Sequence, residues 1–235
     1  MQRVKTKAIF CWSGGKDSSL ALYRILQSED WDIRYLLCTL NGEHRRISIH
    51  GVREALIDAQ ALSIGIPLMK VFTYEASNAE YEKQMEAALL SVKAEGIKHV
   101  IFGDIFLEDL RVYRENNLAK VGMTAIFPLW KNDTKQLINE FIAEGFKTVT
   151  CCVNDAFLGE EHVGKEIDID FINALPVNVD PCGENGEFHT FCFDGPIFKN
   201  PITFTKAKKV YKGMILQEHN SPKSQTKGFW YCELI

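Results

Sequence analysis

Residues 11–22 read CWSGGKDSSLAL, and Ser13, Gly14, Gly15, Lys16, Asp17 and Ser18 are the residue types that together handle an anion. Two consecutive glycines let a backbone turn sharply with no Cβ in the way, so that successive N–H groups point at one ligand. The helix that follows, expected from about Ser18 through Leu26, adds the positive end of its dipole. Lys16 supplies a point charge suited to phosphate, and Ser13, Ser18 and Ser19 supply hydroxyl donors. Asp17 supplies a ligand for a magnesium ion bridging phosphate oxygens. The plainer alternative is a strand-to-helix turn in which Asp17 or Ser18 merely caps the helix. The spacing matches neither of two common nucleotide motifs: Gly15-Lys16 is followed by Asp17 rather than Ser or Thr, and there is no GxGxxG.

A second concentration of reactive groups lies in NVDPCGENGEFHTFCFDGPIF, residues 178–198. Asp180, Glu184, Asn185, Glu187, His189 and Asp194 crowd there around Gly183 and Gly186. A carboxylate such as Glu184 can orient an ammonium ion or take its proton, and an amide such as Asn185 can bind a carbonyl oxygen. The competing reading is structural: Gly183, Gly186 and Glu187 form a tight turn before a strand, with His189 packed or solvated.

These groups need elements to position them. Short apolar runs, KAIFCW, DIRYLLCTL, IPLMKVFTY, KHVIFGDIF and FKTVTCCV, recur at intervals of roughly 25 to 35 residues, the spacing of strand–helix units. Between them run helical stripes: Val52, Ala55, Leu56, Ala59 and Leu62; Tyr81, Met85, Ala88, Leu89 and Val92; and Leu137, Ile138, Phe141 and Ile142. Gly65, Gly96 and Gly145 fall where these helices should stop. Alternating strands and helices predict an α/β fold, a doubly wound parallel sheet that binds ligands outside the carboxyl ends of its strands. The glycine stretch follows the first strand, and Asp104 follows another at the same edge. Beyond about residue 150 the tail EFHTFCFDGPIF, PITFTKAKKVYKGMILQE and GFWYCELI reads as strands, preceded by a short helix in EIDIDFINAL; HNSPKSQTKG, residues 219–228, reads as a polar loop.

With these residues in place, SGGKDS resembles the PP-loop of the N-type ATP pyrophosphatases, which split ATP between its α and β phosphates to activate an oxygen as an adenylate. The downstream segment resembles the DxxGExGEFHT signature of the diphthine–ammonia ligase family. FGDI at 102–105, PLW at 128–130 and RRISIHGVREALIDAQALSIGIPL at 45–68 resemble further features of that family. The likeness runs from about residue 7 to 198.

The resemblance implies a fold of the adenine nucleotide alpha hydrolase (HUP) type, with a PP-loop ATP-binding domain over residues 1–130 and a smaller C-terminal α+β substrate-binding lobe over 131–235. It implies ATP-dependent amidation, with ammonia, of the carboxylate of diphthine on elongation factor 2 where the source makes diphthamide, and of another carboxylate where it does not. AMP and pyrophosphate would be the products. Ser13, Gly14, Gly15, Lys16, Asp17 and Ser18, with Gly103 and Asp104, would bind ATP, and Asp17 and Asp104 would hold Mg2+. Gly183, Glu184, Asn185, Glu187 and His189 would meet the acceptor or ammonia, with Lys16, Asp17, Glu184 and Asn185 acting in catalysis. A homodimer is left open as the quaternary form. Two other readings stand beside it: PP-loop enzymes that thiolate tRNA, which commonly show paired cysteines and basic surface, and a non-enzymatic ATP-binding module of the related universal-stress-protein type, which would have no use for Lys16 and Asp17 beside a second acidic cluster.

A net charge of -4 over 235 residues provides no global field for nucleic acid or an anionic membrane, so an anionic ligand must be held locally. No apolar run is long enough to span a bilayer and the first residues lack a signal-peptide pattern, which predicts a cytoplasmic protein. Seven cysteines, an odd number without a CxxC, argue for a reducing compartment and against a zinc or iron–sulfur site. Cys151 and Cys152 end an apolar run and are expected to pack rather than react. His50 precedes a helix and is either a nucleotide contact or a residue with no special role. Arg111, Arg114 and Lys120, on LEDLRVYRENNLAK, are expected on a solvated helix face.

Overall fold

The computed structural model describes residues 4–74, 77–214 and 227–235. The first half of the chain alternates β1 (Thr6–Cys11), α1 (Lys16–Gln27), β2 (Trp31–Asn41), α2 (Glu54–Ile64), β3 (Leu68–Thr73), α3 (Asn78–Ala94), β4 (His99–Ile101), α4 (Glu108–Lys120) and β5 (Thr124–Ile126). Its five strands pair in parallel in the order β3-β2-β1-β4-β5. The chain works outward from β1 to β3 and then returns to β4, so strand order reverses between β1 and β4. That is where such sheets bind ligands.

The central strands are apolar on both sides because both sides are covered. Successive residues of β1 enter different cores: Ala8 and Phe10 pack with α1, α2 and the second half of the chain, whereas Ile9 packs with Leu89, Val92 and Leu118 of α3 and α4. The predicted helix stops hold, since Gly65, Gly96 and Gly145 all adopt positive φ just past α2, α3 and the later α5. Helix α1 begins two residues before the expected Ser18, and its cap is Gly15, which has no side chain to bond its first amides.

The second half contains α5 (Thr134–Ala143), β6 (Lys147–Asn154), α6 (Ile169–Asn173), β7 (Phe188–Asp194), β8 (Lys206–Met214) and β9 (Lys227–Leu234). Here the strand expectation needs correction. FKTVTCCV, placed by its spacing among the strand–helix units, is β6, and it pairs antiparallel with β7 and β9 in a separate sheet of order β7-β6-β9-β8. An apolar run shows that a strand is buried but not which neighbours it finds. The last strand of the first sheet ends at Ile126 and the first of the second begins at Lys147. Cys151 and Cys152 are buried packing residues, as expected. Most of the polar stretch 219–228, and the end of the run before it, lie outside the described residues. Among the described residues, no helix is long and apolar enough to cross a membrane.

Candidate active site

The loop after β1 is clamped from two sides. Gly14 has φ 75°, and its carbonyl accepts hydrogen bonds from Gln60 Nε2 of α2 at 3.0 Å and from the Cys192 amide of β7 at 2.8 Å. A Cβ on Gly14 would lie 2.6 Å from Gln60 Oε1, so this glycine faces α2 rather than the cleft. Gly15 faces β7, where a Cβ would meet the Thr190 carbonyl at 3.1 Å. The Lys16 amide donates to Thr190 Oγ1 at 3.0 Å, and the Ser18 and Ser19 hydroxyls each donate to the Gly15 carbonyl at 2.9 Å. The loop after β4 crosses the first turn of α1 so closely that a Cβ on Gly103 would be 3.0 Å from the Ser18 amide nitrogen. Glycine at 103 is therefore a matter of close approach.

Between these loops opens a cleft of about 960 Å³, large enough for a nucleotide. Ser13, Gly15, Lys16, Asp17 and Ser18 line one part of it, and Gly183, Glu184, Asn185 and Gly186 line another. The two constellations, about 170 residues apart in sequence, thus share one cavity. A side chamber of about 530 Å³, bordered by Leu37, Thr39, Thr73 and Tyr81, adjoins it at Cys11, Ser13 and His50.

Lys16 is only 3% exposed, and its Nζ lies 2.7 Å from each Asp17 carboxylate oxygen. Burial works against its charge, but Asp17, with Cys182 and Glu184 behind it, raises its pKa above the ordinary lysine value, so it stays cationic. Glu184 reaches across to the loop after β4, where Oε1 accepts from the amides of Ile105 at 3.0 Å and Phe106 at 3.4 Å. Burial, reinforced by Asp17, pushes its carboxyl up to about 7, while those amides and Lys16 restrain the rise. His50 and His189 stack on each other in the same cleft.

Two of the expected site carboxylates already have partners within the protein. Glu187, expected to meet the substrate, is fully buried and absent from the cleft wall; its carboxylate accepts from the amides of Asp180 and Asn185 at 2.9 Å each and from Asn185 Nδ2 at 3.1 Å. It shapes the 180–187 turn. Asp104, expected to hold Mg2+, has both oxygens engaged by Arg114, at 2.6 Å to Nε and 3.1 Å to an Nη. That guanidinium lies 4.4 Å over the Phe102 ring and lines the cleft, so Arg114 is no solvated helix charge. Sequence reasoning also passed over Gln60 and Thr190. The signals are a polar residue within the apolar segment AQALSI for Gln60 and the closing position of GEFHT for Thr190.

The sequence model described as the diphthamide synthase N-terminal domain matches residues 6–125, and that of the C-terminal domain matches residues 133–220. Among curated proteins, the diphthine–ammonia ligase of Rattus norvegicus is 26% identical over 227 residues, covering 84% of this chain and 82% of that protein. The Homo sapiens enzyme of the same name is 26% identical over 175 residues, 66% of this chain and 64% of its own. The Schizosaccharomyces pombe enzyme is 28% identical over 118 residues, 48% of this chain and 20% of its own. A U34-tRNA thiolase of Methanococcus maripaludis overlays 59% of this chain and 58% of its own at 17% identity with a TM-score of 0.39, too little to bear on function. With both sequence models matched in order and together spanning most of the chain, the protein belongs to the diphthamide synthase family.

Proposed function

We infer that this chain is an ATP-dependent amide ligase that activates a carboxylate as its adenylate, releases pyrophosphate and passes the acyl group to ammonia. The observation that carries this reading is the cleft itself, in which the glycine-lysine loop and the Glu184–Asn185 loop line one cavity. Lys16, held cationic, neutralises the charge that builds on the departing pyrophosphate, and the first amides of α1 with Ser13 and Ser18 orient it. Asp17 and Asp104 both line the cleft, paired there with Lys16 and Arg114, and are the carboxylates that would hold a phosphate-bound Mg2+. Mg2+ would supply charge neutralisation at the phosphates. The side chamber beyond Cys11 suits the nucleoside end of ATP. Glu184 accepts a proton from the attacking nitrogen, and Asn185, whose side-chain NH2 is turned to Glu187, keeps its carbonyl oxygen for a donor on the acceptor. The relatives' shared name supports diphthine as the acceptor carboxylate.

The test is product analysis. Pyrophosphate and AMP should accumulate from ATP over many turnovers only when both a carboxylate acceptor, diphthine first, and ammonium are supplied; ADP would contradict the reading. Lys16→Ala should lower kcat by at least about a hundredfold, since one preorganised charge at a transition state contributes about 3 kcal/mol, and full turnover by that variant would remove the cradle from the mechanism.

A further inference from the structure

His50 arrives on the segment between β2 and α2, and His189 on β7, yet their rings stack with centroids 4.8 Å apart and planes 29° from parallel. Nδ1 of His50 lies 3.2 Å from the Thr190 carbonyl oxygen. A carbonyl only accepts, so Nδ1 carries the ring proton and Nε2 of the neutral ring is left with a bare lone pair. The ring carbon between those nitrogens, Cε1, would be 3.3 Å from a Cβ on Gly15, which puts that lone pair beside the PP-loop. Among the described residues, neither ring nitrogen of His189 makes a hydrogen bond, and its ring contact is His50.

The surroundings keep both rings uncharged. Burial lowers His50 to about 4, with Lys16 adding to the effect and the Thr190 carbonyl opposing it. Burial likewise lowers His189 well below the ordinary imidazole value, with His50 and then Lys16 adding to it. A bare imidazole lone pair repels a phosphate oxygen, so Nε2 of His50 is no extension of the cradle. It suits a small ligand that only donates N–H bonds. The diphthine side of the acceptor offers carboxylate oxygens, which the same lone pairs also repel.

We propose that His50 and His189 form the ammonia-binding station of the cleft, accepting N–H hydrogen bonds from ammonium or ammonia between the PP-loop and the Glu184 loop. The inference rests on the ligase reading above. In the step it serves, ammonium gives one proton to the Glu184 carboxylate, and the freed nitrogen lone pair forms the C–N bond to the acyl carbon. The C–O bond to AMP then breaks, its electron pair leaving on the AMP phosphate, and the surplus proton on nitrogen passes to water. His50 and His189 hold the nucleophile and undergo no net change.

Histidine-labelled protein tests the station without turnover. Nitrogen-15 NMR of the wild type should show His50 protonated at Nδ1 and bare at Nε2, with the Nε2 signal shifting on addition of ammonium chloride and not of tetramethylammonium chloride, which has no N–H. A proton on Nε2, or equal response to both salts, overturns the proposal. Kinetically, His50→Phe and His189→Phe, which keep a stacked ring but no lone pair, should each raise the KM for ammonium about tenfold, the loss of one hydrogen bond to a charged group, and by more than the KM for ATP. His50→Gln, which retains an acceptor, should recover part of the loss. A rise in the ATP KM alone would make the pair a nucleotide contact and refute the station. If the wild type forms no amide with any carboxylate while ammonium still shifts the histidine signals, the ligase reading fails and the binding site stands.

Discussion

Glu184 is the residue whose chemistry depends most on where the chain puts it. Its carboxyl, pushed by burial up to about 7, is a proton acceptor only once pH passes that point. Amide formation by the wild type should therefore rise with pH through about 7, and in Glu184→Gln that limb should disappear along with most of the rate; a pH–rate profile decides it. The same shift has a stability consequence of fixed sign. With the folded-state pKa above the ordinary carboxyl value of 4.5, the fold favours the protonated acid, and that contribution is lost as pH rises through about 7. Glu184→Gln should raise Tm more at pH 8 than at pH 4, measured by thermal unfolding at both. Residue types made Lys16, Asp17 and Glu184 legible as chemistry in the sequence. Glu187 looked equally reactive and differs only in its partners, the backbone amides of Asp180 and Asn185. A carboxylate's role depends on what has already taken its lone pairs.

At the scale of elements, α2 and β9 position the site without touching a reacting atom. Gln60 is completely buried in α2; it accepts from Trp12 Nε1 at 2.9 Å and donates to the carbonyls of Gly14 and Cys192. It thus ties the PP-loop to both sheets. Gln60→Leu leaves a buried indole N–H and a strand carbonyl without partners and should cost about 2–3 kcal/mol in urea unfolding, with a raised KM for ATP. On β9, Glu233 bonds Arg46 and, at 2.7 Å, Arg53, and these arginines hold its carboxyl down at about 2. Its contribution is present above the ordinary 4.5 and is lost as pH falls from there toward about 2. Glu233→Gln should lower Tm at pH 7 and change it little at pH 2, loosening the segment that carries His50. Strand and helix existence was legible from periodicity, and so were the glycine stops. The partnership of β6 was not, because period-two and all-apolar strands look alike until the edges they meet are known.

Over the whole molecule, the two sheets are not two independent cores. Ala8 and Phe10 of the first sheet share one apolar cluster with Phe191, Cys192 and Leu234 of the second. We take the boundary between the lobes near residue 130, between Ile126 of β5 and Lys147 of β6, as a division of labour rather than of stability. Scanning calorimetry of the full chain should show one cooperative transition, and residues 1–130 expressed alone should expose the apolar faces of α1 and α2 and fail to fold; two separated transitions would overturn this.

By itself the sequence determined the α/β character of the first half, the loop that can cradle pyrophosphate and the family, because all three are written in local order: period, glycine placement and motif spacing. Only the tertiary structure decided that the Glu184 loop and the PP-loop line one cavity, that Asp104 pairs with Arg114, and that two histidines 139 positions apart stack ring on ring. Those facts depend on long-range packing, and packing chooses among chemically equivalent residues by giving each a different set of neighbours.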